Sequence, residues 1–67
     1  MNTYAVKKIN LGNTTDITSY LEEVEKAEVK YCKGLSEVWQ YCGCKLRKER
    51  TGYSGIVGNI EYIAVRA

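Results

Sequence analysis

The chain has 67 residues and a mass of 7.6 kDa, with ten Lys and Arg against eight Asp and Glu for a net charge of +2. That length admits a single domain, near the lower limit at which a hydrophobic core alone sustains a fold. Apolar residues at 45% and charged residues at 27% argue against disorder, and no run approaches the ~18 apolar residues of a membrane span.

Residues 1–10 carry two lysines but no apolar stretch behind them, so no secretory signal is expected and the expected location is the reducing cytoplasm. Three cysteines fit that location, because an odd number cannot close into an internal disulfide framework. Asn13-Thr14-Thr15 matches a glycosylation sequon and, without a signal, is read as coincidence. Fifteen Ile, Leu and Val, six Tyr and one Trp are available for burial. At roughly 25 cal/mol per Å² their burial barely exceeds the entropy of ordering so short a chain. Stability therefore rests on the core, a partner or self-association, and a homodimer is an energetic expectation.

Taken in chain order, residues 4–11 read as a first strand, with Tyr4 and Val6 alternating before Ile9 and Leu11. The phase slips at Lys7-Lys8, which suits a bulge or an edge strand defended by lysines. Gly12-Asn13-Thr14-Thr15 is a turn, after which Thr15 or Asp16 can cap a helix, with Ser19 and Glu22 also compatible with a capping box. Apolar residues at 17, 20, 21, 24, 27 and 31 have helical spacing, and Gly34 supplies a stop with Lys30 and Lys33 in the last turn. Residues 27–32 also alternate as a short strand would. The helix running on towards Gly34 is the preferred reading, and an earlier end near Lys26 is the other.

Residues 37–48 alternate, placing Val38, Cys42, Cys44 and Leu46 on one side and Trp39, Tyr41, Lys45 and Arg47 on the other. A second strand is expected there, followed by a loop over residues 50–55. Residues 56–66 are apolar on both faces, as a central strand would be. These elements assemble into an α+β domain, β-α-β-β, with a three-stranded antiparallel sheet in the order 1-3-2 and one helix on one face. One helix leaves the other face uncovered. That face is expected to carry Trp39, Tyr41, Lys45 and Arg47 with one apolar row of the last strand.

Catalytic chemistry has little to work with. There is no His to serve as a base near neutral pH, the single Asp is expected as a cap, and the glutamates lie on a lysine-accompanied helix surface. No phosphate-cradling glycine loop is present. The chain is read as a non-enzyme without a cofactor. Cys42-Gly43-Cys44 with a remote Cys32 lacks the paired knuckles and fourth ligand of a zinc site, so these cysteines are read as core residues.

Charge is segregated: residues 12–32 carry net −3 and residues 33–50 net +3. Within the basic segment, Trp39, Tyr41 and Tyr53 interleave with Lys45, Arg47, Lys48 and Arg50, and these seven residues form the candidate partner-binding site. Trp, Tyr and Arg are the residues enriched at energetic centres of protein interfaces. The same set could stack unpaired bases while cations hold phosphates. Residues 50–57 are similar to the signature strand of RNA-recognition sheets only with two inserted residues, and that fold has two helices against the one expected here. A net charge of +2 is low for a dedicated nucleic-acid domain. In length, composition and lack of catalytic groups the chain looks like the small accessory proteins of phages and mobile elements, anti-CRISPR inhibitors among them; no motif carries that likeness. The expected function is a protein-binding module that inhibits or redirects host machinery, with single-stranded nucleic-acid binding as the alternative.

Overall fold

A computed structural model describes residues 2–67. The chain runs β1 (Thr3–Asn10), a single 3₁₀ turn (Leu11–Asn13), α1 (Ile17–Lys26), β2 (Val29–Lys33), α2 (Leu35–Cys42), β3 (Arg47–Lys48), β4 (Gly52–Val57) and β5 (Ile60–Arg66). The five strands form one antiparallel sheet in the order β2-β1-β5-β4-β3. The class is α+β as expected, but the sheet has five strands rather than three and there are two helices rather than one.

Each difference has a local cause. The first helix stops at Lys26, where Ala27 turns extended and its N–H closes on the Val24 carbonyl, so the shorter helix is the correct one. Val29 and Tyr31 then serve as strand residues paired with Lys7 and Ala5 of β1. Gly34, expected as a helix stop, instead starts α2 from a φ of +90°, a conformation glycine adopts at little cost. Residues 37–42 are helix, not strand: Leu35, Val38, Trp39 and Cys42 repeat at i, i+3, i+4 and i+7, and that stripe faces the sheet. Residues 56–66 are not one strand either. Gly58, with φ +64°, and Asn59 turn the chain between β4 and β5, a pairing of residue types that favours tight hairpins. The loop expected over residues 50–55 is correspondingly shorter, because β4 already begins at Gly52. Lys7 marks neither bulge nor edge, since it pairs with Val29 on one side and Ile63 on the other, while Lys8 pairs with Tyr62 alone, just beyond the start of β2. The last strand is central, as its two apolar faces predict.

Residues opposite one another in an antiparallel sheet share a face. One face carries Tyr4, Val6, Cys32, Tyr53, Tyr62 and Ala64, and α2 packs on it. Val38 and Cys42 of the helix, with Leu46 just beyond it, complete the main core. Ile9, fully buried, lies outside that cluster at the end of β1 from which the 3₁₀ turn and α1 follow. There α1 reaches across the end of the sheet, its Tyr20 hydroxyl donating to Glu61 Oε1 at 2.7 Å.

The start of α1 is a reciprocal cap. Ser19 N–H donates to Asp16 Oδ1 at 2.8 Å, and Asp16 N–H donates to Ser19 Oγ at 3.0 Å. The bond from the Ser19 backbone, then that from its side chain, holds the Asp16 carboxyl below its ordinary value of 3.8. A depressed folded value means the cap contributes above pH 3.8 and is lost as pH falls through the lower folded value. We expect Asp16→Ala to fray the first turn of α1, seen as faster amide exchange at Ser19, while Asp16→Asn retains protection into stronger acid than wild type. Equal exchange in all three proteins would show that the cap carries no stability.

Candidate functional site

The seven residues expected to form one binding face are distributed over three places. Trp39 is half-buried in α2 and meets Tyr53 edge-to-face at 5.4 Å, and Tyr53 meets Tyr4 in the same manner at 6.1 Å. This row belongs to the packing between α2 and the sheet. Tyr41 lies elsewhere on α2, edge-on to Tyr62 at 6.0 Å, on the wall of a 380 Å³ cleft with Lys26, Glu28 and Ile60. Burial pushes the Tyr41 hydroxyl above its ordinary value.

The four cations are all exposed and divide by strand face. Arg47 is paired with Ser54 in the ladder and donates to Glu49 Oε1 from Nε at 3.3 Å and Nη2 at 3.1 Å. Ser54 Oγ donates to the same carboxylate oxygen at 3.1 Å. Lys45 and Arg47 border one cleft, with Cys44, Ile56 and Glu61. Lys48 and Arg50 border another of 250 Å³, where Tyr4, Tyr53 and Arg66 join them. Among the described residues the Arg47–Glu49 contact is the sole ion pair, so Lys48, Arg50 and Arg66 have no carboxylate partner, although Arg66 Nη2 donates to Asn2 Oδ1 at 2.8 Å and Glu49 also borders that cleft.

The feature that residue types alone did not reveal is the sheet face turned away from α2. By register it carries the row Tyr31, Ala5, Val65 and Gly52, then Val29, Lys7, Ile63 and Ser54, then Ile9, Glu61 and Ile56. Tyr31 is 63% exposed and Ile56 62%, and Val29 and Val65 are exposed beside them. Ile9 on this face is fully buried and Glu61 is held by Tyr20 of α1, so the exposed apolar side chains are Tyr31 and Val29 at the β2 edge, Val65 in the middle and Ile56 beyond. Exposed apolar patches on monomers are often functional. On α1, Ile17 at 76% and Leu21 at 57% are also exposed, one turn apart. The available signal was the apolar row of Val65 and Ile63. It pointed to an uncovered face, although the basic and aromatic residues assigned to that face lie mostly elsewhere.

The cysteines separate by environment. Cys32 and Cys42 are buried in the core while Cys44 is exposed, and burial pushes the Cys42 thiol to about 11. Among the described residues no three of Cys, Asp and Glu converge as metal ligands would. A neutral aromatic disulfide reagent is therefore expected to titrate one thiol in the native protein and all three after denaturation. Rapid native labelling of Cys42 would mean that α2 leaves the sheet far more often than its packing implies.

Comparison with known proteins returns no matching family model, no matching curated protein and no matching solved structure.

Proposed function

We propose that this protein is a non-enzymatic binding module that acts by covering the surface of another protein. The uncovered sheet face forms its contact. The observation that carries this reading is the set of exposed apolar side chains Tyr31, Val29, Val65 and Ile56, with half-buried Ile63 among them, in a sheet whose other face is already occupied by α2. Exposed residues on rigid strands, one of them aromatic, offer preorganised contact area at low entropic cost. Lys7 and Arg47 on the same face would add selectivity rather than affinity. An inhibitor or adaptor of host machinery, of the kind small phage and mobile-element proteins provide, fits a chain of this size.

The test is comparative capture. Wild type and Ile56→Lys, immobilised equally, are presented with the same lysate, and retained proteins are quantified. Ile56 is exposed, so the fold should survive and a specific partner should be lost. An identical retained set with both proteins would remove this face from the function.

A second reading has its own support. Lys48, Arg50 and Arg66 surround a cleft walled by Tyr4 and Tyr53, a combination suited to phosphate and base of a single strand. Trp39 touches Tyr53 and would report occupancy. If this reading is correct, titrating a short single-stranded DNA at low salt quenches Trp39 emission saturably, and added salt abolishes the quench. No change in emission at any strand concentration would discard it.

A further inference from the structure

The free edge of β2 carries a second inference, independent of what the sheet face binds. We propose that two copies of this chain pair antiparallel through β2, about a two-fold axis at Tyr31, to give one continuous ten-stranded sheet.

Gly34 N–H donates to the Asn2 carbonyl at 2.8 Å, and Ala67 N–H donates to the Thr3 carbonyl at 2.8 Å. In an antiparallel ladder the direction of the backbone groups alternates with period two. The even residues Lys30 and Cys32 therefore turn their backbone groups towards β1. Val29, Tyr31 and Lys33 turn theirs outward, where β2, at the end of the sheet order, has no strand partner. An exposed edge of this kind is a template for another strand.

A two-fold axis at any residue of β2 sets outward groups opposite outward groups, but centring on Lys30 leaves Lys33 opposite Ala27 of the second copy and centring on Cys32 leaves Val29 opposite its Leu35, which is already in a helix. Centring on Val29 would pair Tyr31 with Ala27 of the second copy, whose N–H is already closed on Val24 in the helix cap. Centring on Tyr31 pairs Val29 with Lys33 of the second copy, and Tyr31 with Tyr31, so every outward N–H and C=O of the strand finds a partner. Side chains agree with that register. Lys30 and Lys33 are the residues that would defend an edge, yet here neither directly opposes a lysine. Lys33 lays its methylene stem beside Val29, and Lys30 faces Cys32. The two exposed Tyr31 rings meet across the axis.

A second copy is also what the size of the chain favours. The core contains few fully buried large side chains, the cysteines are free, and chains this short commonly gain stability by association. The axis is perpendicular to the sheet and preserves its faces. Both α2 helices would lie on one side and both open faces on the other, doubling the contact surface.

Sedimentation equilibrium with light scattering tests the proposal on the whole chain. Wild type is expected to be a dimer at high micromolar concentration. Val29→Lys places a lysine opposite Lys33 at two positions and should weaken the dimer about tenfold or more. Adding Lys33→Glu should restore it, because the opposed pair becomes complementary. Tyr31→Pro removes an outward N–H without touching the bonds to β1, and should give a folded monomer by circular dichroism and Trp39 emission. If that variant does not fold, the Val29 and Lys33 pair decides alone. A wild-type monomer at the highest soluble concentration overturns the proposal. So does a dimer that survives these changes but dissociates in Ile56→Lys, which would place the second copy on the open face.

Discussion

Gly52→Ala is expected to destabilise this protein by about 3 kcal/mol, because overpacking against backbone cannot be relieved by rotating a side chain. Gly52 begins β4 and pairs with Val65 of β5. A Cβ at Gly52 would fall on the Ala64 carbonyl oxygen, with Val65 Cα close behind. The strand would have to lift from β5 at that residue, drawing with it the loop to β3 and the neighbouring Tyr53. At roughly 0.05–0.15 kcal/mol per residue, a domain of this length has only a few kcal/mol in total to lose. A large part of the population should then be unfolded at room temperature, read from urea denaturation followed by Trp39 emission. Gly55→Ala is the matched comparison. Its Cβ would meet Leu46 Cδ2 at 2.9 Å, the far end of a side chain that can turn aside. Similar midpoints for the two variants would show that the close approach of β4 to β5 at Gly52 is not what fixes the glycine there.

Trp39→Ala is expected to cost about 2–3 kcal/mol, somewhat below a fully buried tryptophan because the ring is half-exposed. For a domain of this length that corresponds to a fall of roughly 10–20 °C in Tm. The loss arises from the contact with Tyr53, itself held against Tyr4, which joins α2 to β4 and β1. Calorimetry of the variant measures it directly. An unchanged Tm would return Trp39 to the surface role that its residue type suggests. Tyr41→Ala should have a smaller effect, since Tyr41 is more exposed and touches mainly Tyr62.

Taken together, these variants separate two uses of aromatic side chains that look alike in sequence. Trp39, Tyr41 and Tyr53 interleave with cations as interface residues do. In the fold, however, Trp39 and Tyr53 join a helix to a sheet, while Tyr31, which lies outside the basic segment, carries the exposed ring. Alternation over residues 37–48 suggested a strand because Val38, Cys42, Cys44 and Leu46 share parity. The helical spacing of Leu35, Val38, Trp39 and Cys42 was present in the same stretch. Periodicity alone did not arbitrate between them, because a short segment can satisfy both patterns.

By itself the sequence determined the α+β class, the first strand, a helix N-cap at Thr15 or Asp16, and the central position of the last strand. These follow from local rules of side-chain period, cap chemistry and two-sided apolarity, which act over a few residues. Tertiary structure decided the rest. Whether residues 29–33 extend a helix or form a strand depends on β1 being there to pair with them. Which of the two helices covers the sheet depends on α2 offering Val38 and Cys42 to the residues Val6, Cys32 and Ala64 assembled from three separate strands. The proposed contact surface arises in the same way: with α2 on one face, Tyr31, Val65 and Ile56, from three different strands, are left exposed on the other.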